Sequence, residues 1–118
     1  MLVGHGSKAP EFFTAMKKVA LALKKNGHYR EVLCAFLEVS PPFIPDAIAS
    51  CVRRGASEVR VLPYFVLTGK HVTRDIPRIV KACAEEHRSK AKVVLCPYLG
   101  YDAHLVSLVQ KRLKENAR

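Results

Sequence analysis

Apolar positions along the chain fall into two habits. Short continuous runs, rich in β-branched residues, alternate with longer stretches in which apolar residues return every three or four positions. The short runs predict strands at Leu2-Val3, Glu31–Leu37, Glu58–Val66 and Lys92–Cys96. The periodic stretches predict four helices. The first runs from Pro10 to Lys25, with Phe12, Phe13, Met16, Val19, Ala20 and Leu23 on one face, and stops at Asn26-Gly27. The second opens at Ser40-Pro41-Pro42, tolerates Pro45 in its first turn and closes at Gly55 after Arg54. The third spans Thr73–His87, with Ile76, Ile79, Val80 and Cys83 inward; the fourth runs from Asp102, a candidate N-cap, to Glu115. Pro63 is awkward inside a central strand and predicts a bulge or bend there.

Strand and helix therefore alternate four times. Apolar β-branched strands of this kind suit a buried parallel sheet, and right-handed crossovers make it doubly wound. The expected fold is a three-layer α/β/α domain over residues 1–118, with four parallel strands in the order 2-1-3-4. Ligands then bind outside the carboxyl ends of the strands, where strand order reverses, between strands one and three.

Composition narrows the picture in three ways. No run approaches the roughly 18 apolar residues of a membrane span. Met1 leads straight into a strand, leaving no room for a signal peptide, so the expected location is cytoplasmic. Cys34, Cys51, Cys83 and Cys96 form no C-x-x-C pair, which excludes a zinc ribbon and reads as small hydrophobes in a reducing compartment. Twenty Lys and Arg against ten acids give a formal net charge of +10. That charge suits an anionic partner, but no motif points to nucleic acid.

Two histidines stand at the predicted switch point, each beside or near glycine. His5 lies in Gly4-His5-Gly6-Ser7 after strand one; His71 lies in Thr68-Gly69-Lys70-His71 after strand three. Glycines allow a sharp turn and close approach to a ligand. Each histidine precedes a helix, whose positive end disfavours the imidazolium. Neutral imidazoles can share a divalent metal or accept a proton. Glu38, at the end of strand two, can assist proton transfer, and Lys8, Lys70 and Arg74 ring the crevice as candidate carboxylate binders. His28, His87 and His104 read as surface residues.

At these residues the sequence resembles the class II chelatases of the CbiX/SirB type. The resemblance rests on Val3-Gly4-His5-Gly6-Ser7, on Phe36-Leu37-Glu38, and on Gly69-Lys70-His71-Val72-Thr73-Arg74-Asp75-Ile76-Pro77, and covers essentially the whole chain. In length the chain resembles the short, one-domain form. The resemblance implies insertion of Co2+, or alternatively Ni2+ or Fe2+, into sirohydrochlorin without ATP, with no tightly bound cofactor and the metal as substrate. It implies His5 as metal ligand and proton acceptor, His71 as second ligand, and substrate contact by Ser7 and by Val66, Leu67, Thr68, Gly69 and Lys70. Many relatives carry an acid just before the proline that opens helix two; here that place is Pro41. A non-catalytic tetrapyrrole- or metal-binding module of the same fold is the alternative. The long form has two such domains, so a homodimer is expected here, with Phe12, Phe13, Phe43 and Ile44 as candidate contacts.

Overall fold

The computed structural model describes residues 1–115; Asn116, Ala117 and Arg118, the end of the expected 1–118 span, lie outside the described residues. The elements follow in the order β1 (Leu2–Gly4), α1 (Glu11–Lys25), β2 (Cys34–Phe36), α2 (Ile44–Arg53), β3 (Glu58–Pro63), α3 (Ile76–Glu86), β4 (Lys92–Leu95) and α4 (Ala103–Lys114). A π-helical turn, His71–Asp75, runs directly into α3. All strand pairs are parallel, and the sheet order is β2-β1-β3-β4, as expected.

Two apolar clusters hold the layers together. On one face Val3, Ala35, Val59 and Val61 of the sheet meet Ile44, Ala47 and Ile48 of α2 and Ile76, Val80 and Cys83 of α3. On the other, Met16 and Ala20 of α1 meet Leu2 and Phe36, with Phe12 and Phe13 packed alongside. Each fully buried Ile or Phe contributes roughly 1.5–3 kcal/mol by leaving water. Helix α4 joins neither cluster, and none of its described residues is buried. Asp102 caps it as expected, accepting the backbone N–H of His104 at 2.9 Å. Among the described residues, no helix is long and apolar enough to cross a membrane.

Several boundaries differ from expectation, each for a physical reason. Strand β2 is three residues long rather than Glu31–Leu37, because β1 offers only Leu2, Val3 and Gly4 to pair with. Strand β3 stops at Pro63 rather than bulging and continuing to Val66; Val66 and Leu67 are exposed. Helix α2 begins at Ile44, after a turn that contains the cis Pro41–Pro42 bond. Helical structure around α3 begins at His71, two residues before the expected Thr73.

Three side-chain expectations also change or sharpen. Of the expected dimer contacts, Ile44 is fully buried in the first cluster, and Phe12 and Phe13 pack on Phe36 with ring centroids 5.9 and 4.7 Å away; Phe43 is exposed. His28 and His104 lie on the surface, but His87 does not, its side chain being only 14% exposed. All four cysteines are free, and burial pushes the thiols of Cys34, Cys51 and Cys83 up, which keeps them inert.

Candidate active site

The β1–β2 pairing continues past the strands. Leu37 N–H donates to the Gly4 carbonyl at 2.9 Å, and Glu38 N–H donates to the His5 carbonyl at 3.0 Å. This fixes His5 beside Glu38, and His5 Nε2 lies 3.0 Å from Glu38 Oε1. The approach is close enough to require glycine next door. Gly6 has φ +111°, and a Cβ there would lie 1.8 Å from the Glu38 carbonyl oxygen.

The chain then turns sharply. Val39 has φ +73°, and Ser40 N–H donates back to the Glu38 carbonyl at 2.9 Å. A three-residue span closed this way around a left-handed centre is a γ-turn, a strained form for a branched side chain. Ser40 Oγ accepts the Ser7 N–H at 3.2 Å, and Ser7 Oγ accepts the Ala9 N–H at 3.1 Å. Ser7 thus shapes its own loop.

His71 comes from the π-helical turn. Its neighbour Val72 is buried, and the Val72 and Thr73 N–H groups both donate to the Gly69 carbonyl, at 3.0 and 2.9 Å. His71 Nδ1 lies 3.0 Å from Asp75 Oδ2, and Arg74 Nε donates to Asp75 Oδ1 at 3.0 Å. The hydrogen bond from Arg74, and then that from His71, hold the Asp75 carboxyl below its ordinary range. With Nδ1–H donated to Asp75, the Nε2 lone pair of His71 is free for a metal or a proton.

The two imidazole rings lie 5.0 Å apart, and one donor atom from each of His5, Glu38 and His71 falls within 4.8 Å of the others. Two metal–ligand bonds of about 2.1 Å place donors at most about 4.2 Å apart. Side-chain movement of roughly half an ångström closes the set on one ion. The side chains of His5, Glu38 and His71 are 41%, 56% and 44% exposed, so the set opens to solvent on one side. A shallow cavity of about 300 Å³ adjoins it, lined by Leu37, Glu38, His71, Asp75, Arg78 and Ile79.

The structure therefore brings together His5, Glu38 and His71. Lys8, Thr68, Gly69 and Lys70 are exposed on the flanking loops, and Arg74 is engaged with Asp75. Sequence reasoning gave no role to Asp75 or Arg78. The signal for Asp75 was the four-residue spacing from His71, which puts both on one helical face.

Residues 1–116 match the CbiX family model. The chain is 32% identical to a sirohydrochlorin cobaltochelatase of Sulfolobus acidocaldarius over 98% of this chain and 89% of the relative. It is 36% identical to a sirohydrochlorin cobaltochelatase of Methanocaldococcus jannaschii over 74% of this chain and 61% of the relative. Among solved structures, the sirohydrochlorin chelatase SirB from Bacillus subtilis subspecies spizizenii, in complex with cobalt, superposes with a TM-score of 0.84 at 26% identity. The match covers 96% of this chain but 48% of SirB.

Proposed function

The chain belongs to the CbiX family, and from that premise we propose that it inserts a divalent metal ion into sirohydrochlorin without ATP. The observation that carries this reading is the open donor set of His5, Glu38 and His71. Insertion replaces two pyrrole protons with one M2+ ion. The ion must be held and yet leave, which suits three exposed ligands better than a closed four-ligand cage. As the ion passes to the macrocycle, His5 Nε2 is freed and takes one pyrrole proton, and the Glu38 carboxylate 3.0 Å away takes the other and passes it to solvent. His71, oriented by Asp75, holds the ion through Nε2. Exposed Val66 and Leu67 offer an apolar border to the macrocycle, and exposed Lys8 and Lys70 are available to its carboxylates, with Arg74 held by Asp75 at Nε beside them. Cobalt is the first candidate metal; nickel and iron suit the same donors. The reading places the protein in the cytoplasm, with a second copy covering the open side of the crevice.

Absorbance of sirohydrochlorin mixed with Co2+ tests the proposal. The metallated spectrum is expected to appear faster with protein than without; no acceleration with cobalt, nickel or iron would sink the reading. Substrate capture should also depend on salt. With a net charge of +10, KM for this polycarboxylate is expected to rise as salt shortens the screening length from about 10 Å at 0.1 M to about 3 Å at 1 M. A KM constant across that range counts against electrostatic capture.

A further inference from the structure

The shallow cavity of about 300 Å³ beside the ligand set is lined from two directions. Leu37 and Glu38 follow β2, while His71, Asp75, Arg78 and Ile79 come from the π-helical turn and α3. Its two acids are already engaged. Glu38 Oε1 lies 3.0 Å from His5 Nε2, and Asp75 meets His71 at Oδ2 and Arg74 at Oδ1. Arg78 is different. Arg54, Arg60, Arg74 and Arg112 each pair with a carboxylate, whereas exposed Arg78 makes no ion pair among the described residues.

The helix fixes where Arg78 stands. Ile76, Val80 and Cys83 are buried in the first apolar cluster, which anchors α3 against the sheet. Arg78 follows Asp75 by three residues, so the two are neighbours on one helical face. The rest of the cavity lining is apolar: Leu37 and Ile79 are half-buried and pack against the same cluster. An apolar surface beside an unpaired guanidinium suits an alkyl arm that ends in a carboxylate. The methylenes leave water against Leu37 and Ile79, and the planar fork takes both carboxylate oxygens. A metal ion is a poorer occupant, because Arg78 repels it and both acids already have partners.

We propose that Arg78 is a substrate-binding residue that takes one side-chain carboxylate of the tetrapyrrole while Leu37 and Ile79 carry the alkyl arm. The identity of the ligand rests on the insertion reading. Arg78 then has a role that the loop lysines do not. Lys8 and Lys70 are exposed point charges on the flanking loops, whereas Arg78 stands on a packed helix and offers a fork of fixed geometry. It anchors the macrocycle at its rim, on the α3 side of His71, so that the pyrrole nitrogens come to the ligand set. The arm's carboxylate lies at the rim, away from the nitrogens that exchange protons for metal. The contact is therefore equally strong before and during insertion, and contributes to binding rather than to the chemical step.

Binding of metal-free sirohydrochlorin, followed by absorbance, gives Kd apart from insertion; the cobalt assay gives KM and kcat. Arg78→Ala is expected to raise Kd and KM about tenfold, equivalent to about 1.4 kcal/mol, and to alter kcat less than about twofold. Arg78→Lys keeps the charge and loses the fork, so it should fall between. Arg88→Ala is the control. It removes the same unit charge from an exposed residue beyond the end of α3, and should change Kd less than about twofold. Circular dichroism checks the fold of each variant. An unchanged Kd in Arg78→Ala overturns the proposal. So does an equal rise in Arg88→Ala, which would reduce the effect to net charge, and so does a fall in kcat at constant KM. A wild type that binds sirohydrochlorin and inserts no metal sinks the insertion reading alone, since Kd still decides the role of Arg78. A wild type that does not bind it overturns both.

Discussion

His5→Ala and His71→Ala are each expected to slow metal insertion at least about a hundredfold while leaving the fold intact. Loss of a positioned base commonly costs about 10²- to 10⁴-fold, on the order of 3–5 kcal/mol of barrier. Neither side chain belongs to an apolar cluster, and both are over two-fifths exposed, so truncation leaves no cavity. The two variants should differ in kind. His71 holds its ring against Asp75, and its loss should chiefly weaken metal binding. His5 faces Glu38, and its loss should chiefly lower the insertion rate at saturating metal. Spectrophotometric turnover, with folding checked by circular dichroism, decides the matter; ordinary turnover in either variant removes that histidine from the mechanism.

Gly6→Ala is expected to damage both stability and site. Its Cβ would lie 1.8 Å from the Glu38 carbonyl oxygen, a backbone atom that cannot swing aside. The φ of +111° adds strain of its own. Together they should cost about 3 kcal/mol or more, and the relief available, parting the two loops, separates His5 from Glu38. Gly27→Ala is the control. Gly27 also has a left-handed φ, +81°, but nothing lies within 4 Å of its Cβ. It should lose only the dihedral cost, about 1–2 kcal/mol. Denaturant unfolding of the two variants measures the difference; equal losses would mean that the collision is harmless.

Much of this was legible in the sequence, because period and punctuation carry element order. The apolar run of β3 and the 3.6-residue stripe of α3 place His71 at a strand end, and Leu2-Val3 does the same for His5. Strand length was less legible. Val32 and Leu33 look like strand residues, yet β1 offers them only the Leu2 N–H, which donates to the Leu33 carbonyl at 2.8 Å. The π-helical turn was invisible because its extra residue changes hydrogen bonding without changing composition. It matters to the site, since it brings Asp75 under His71. Helix α4 shows the opposite limit: its stripe predicts burial but does not say in which molecule.

The γ-turn at Val39 has a consequence for how the ligand set comes apart. A branched residue at φ +73° stores roughly 1–3 kcal/mol. The loop is held closed by the Phe36 N–H on the Pro42 carbonyl, at 2.9 Å, and by Ser40 Oγ on the Ser7 N–H. When those contacts part, the strain is released, so the open state is populated roughly 5- to 150-fold more than for an unstrained loop. Glu38 is the first residue of that loop, tied to the end of β1 by its N–H on the His5 carbonyl, whereas His5 and His71 sit at the end of β1 and on the turn leading into α3. On the proposed function, disassembly would therefore begin at the Glu38 carboxylate and leave the ion to the two imidazoles.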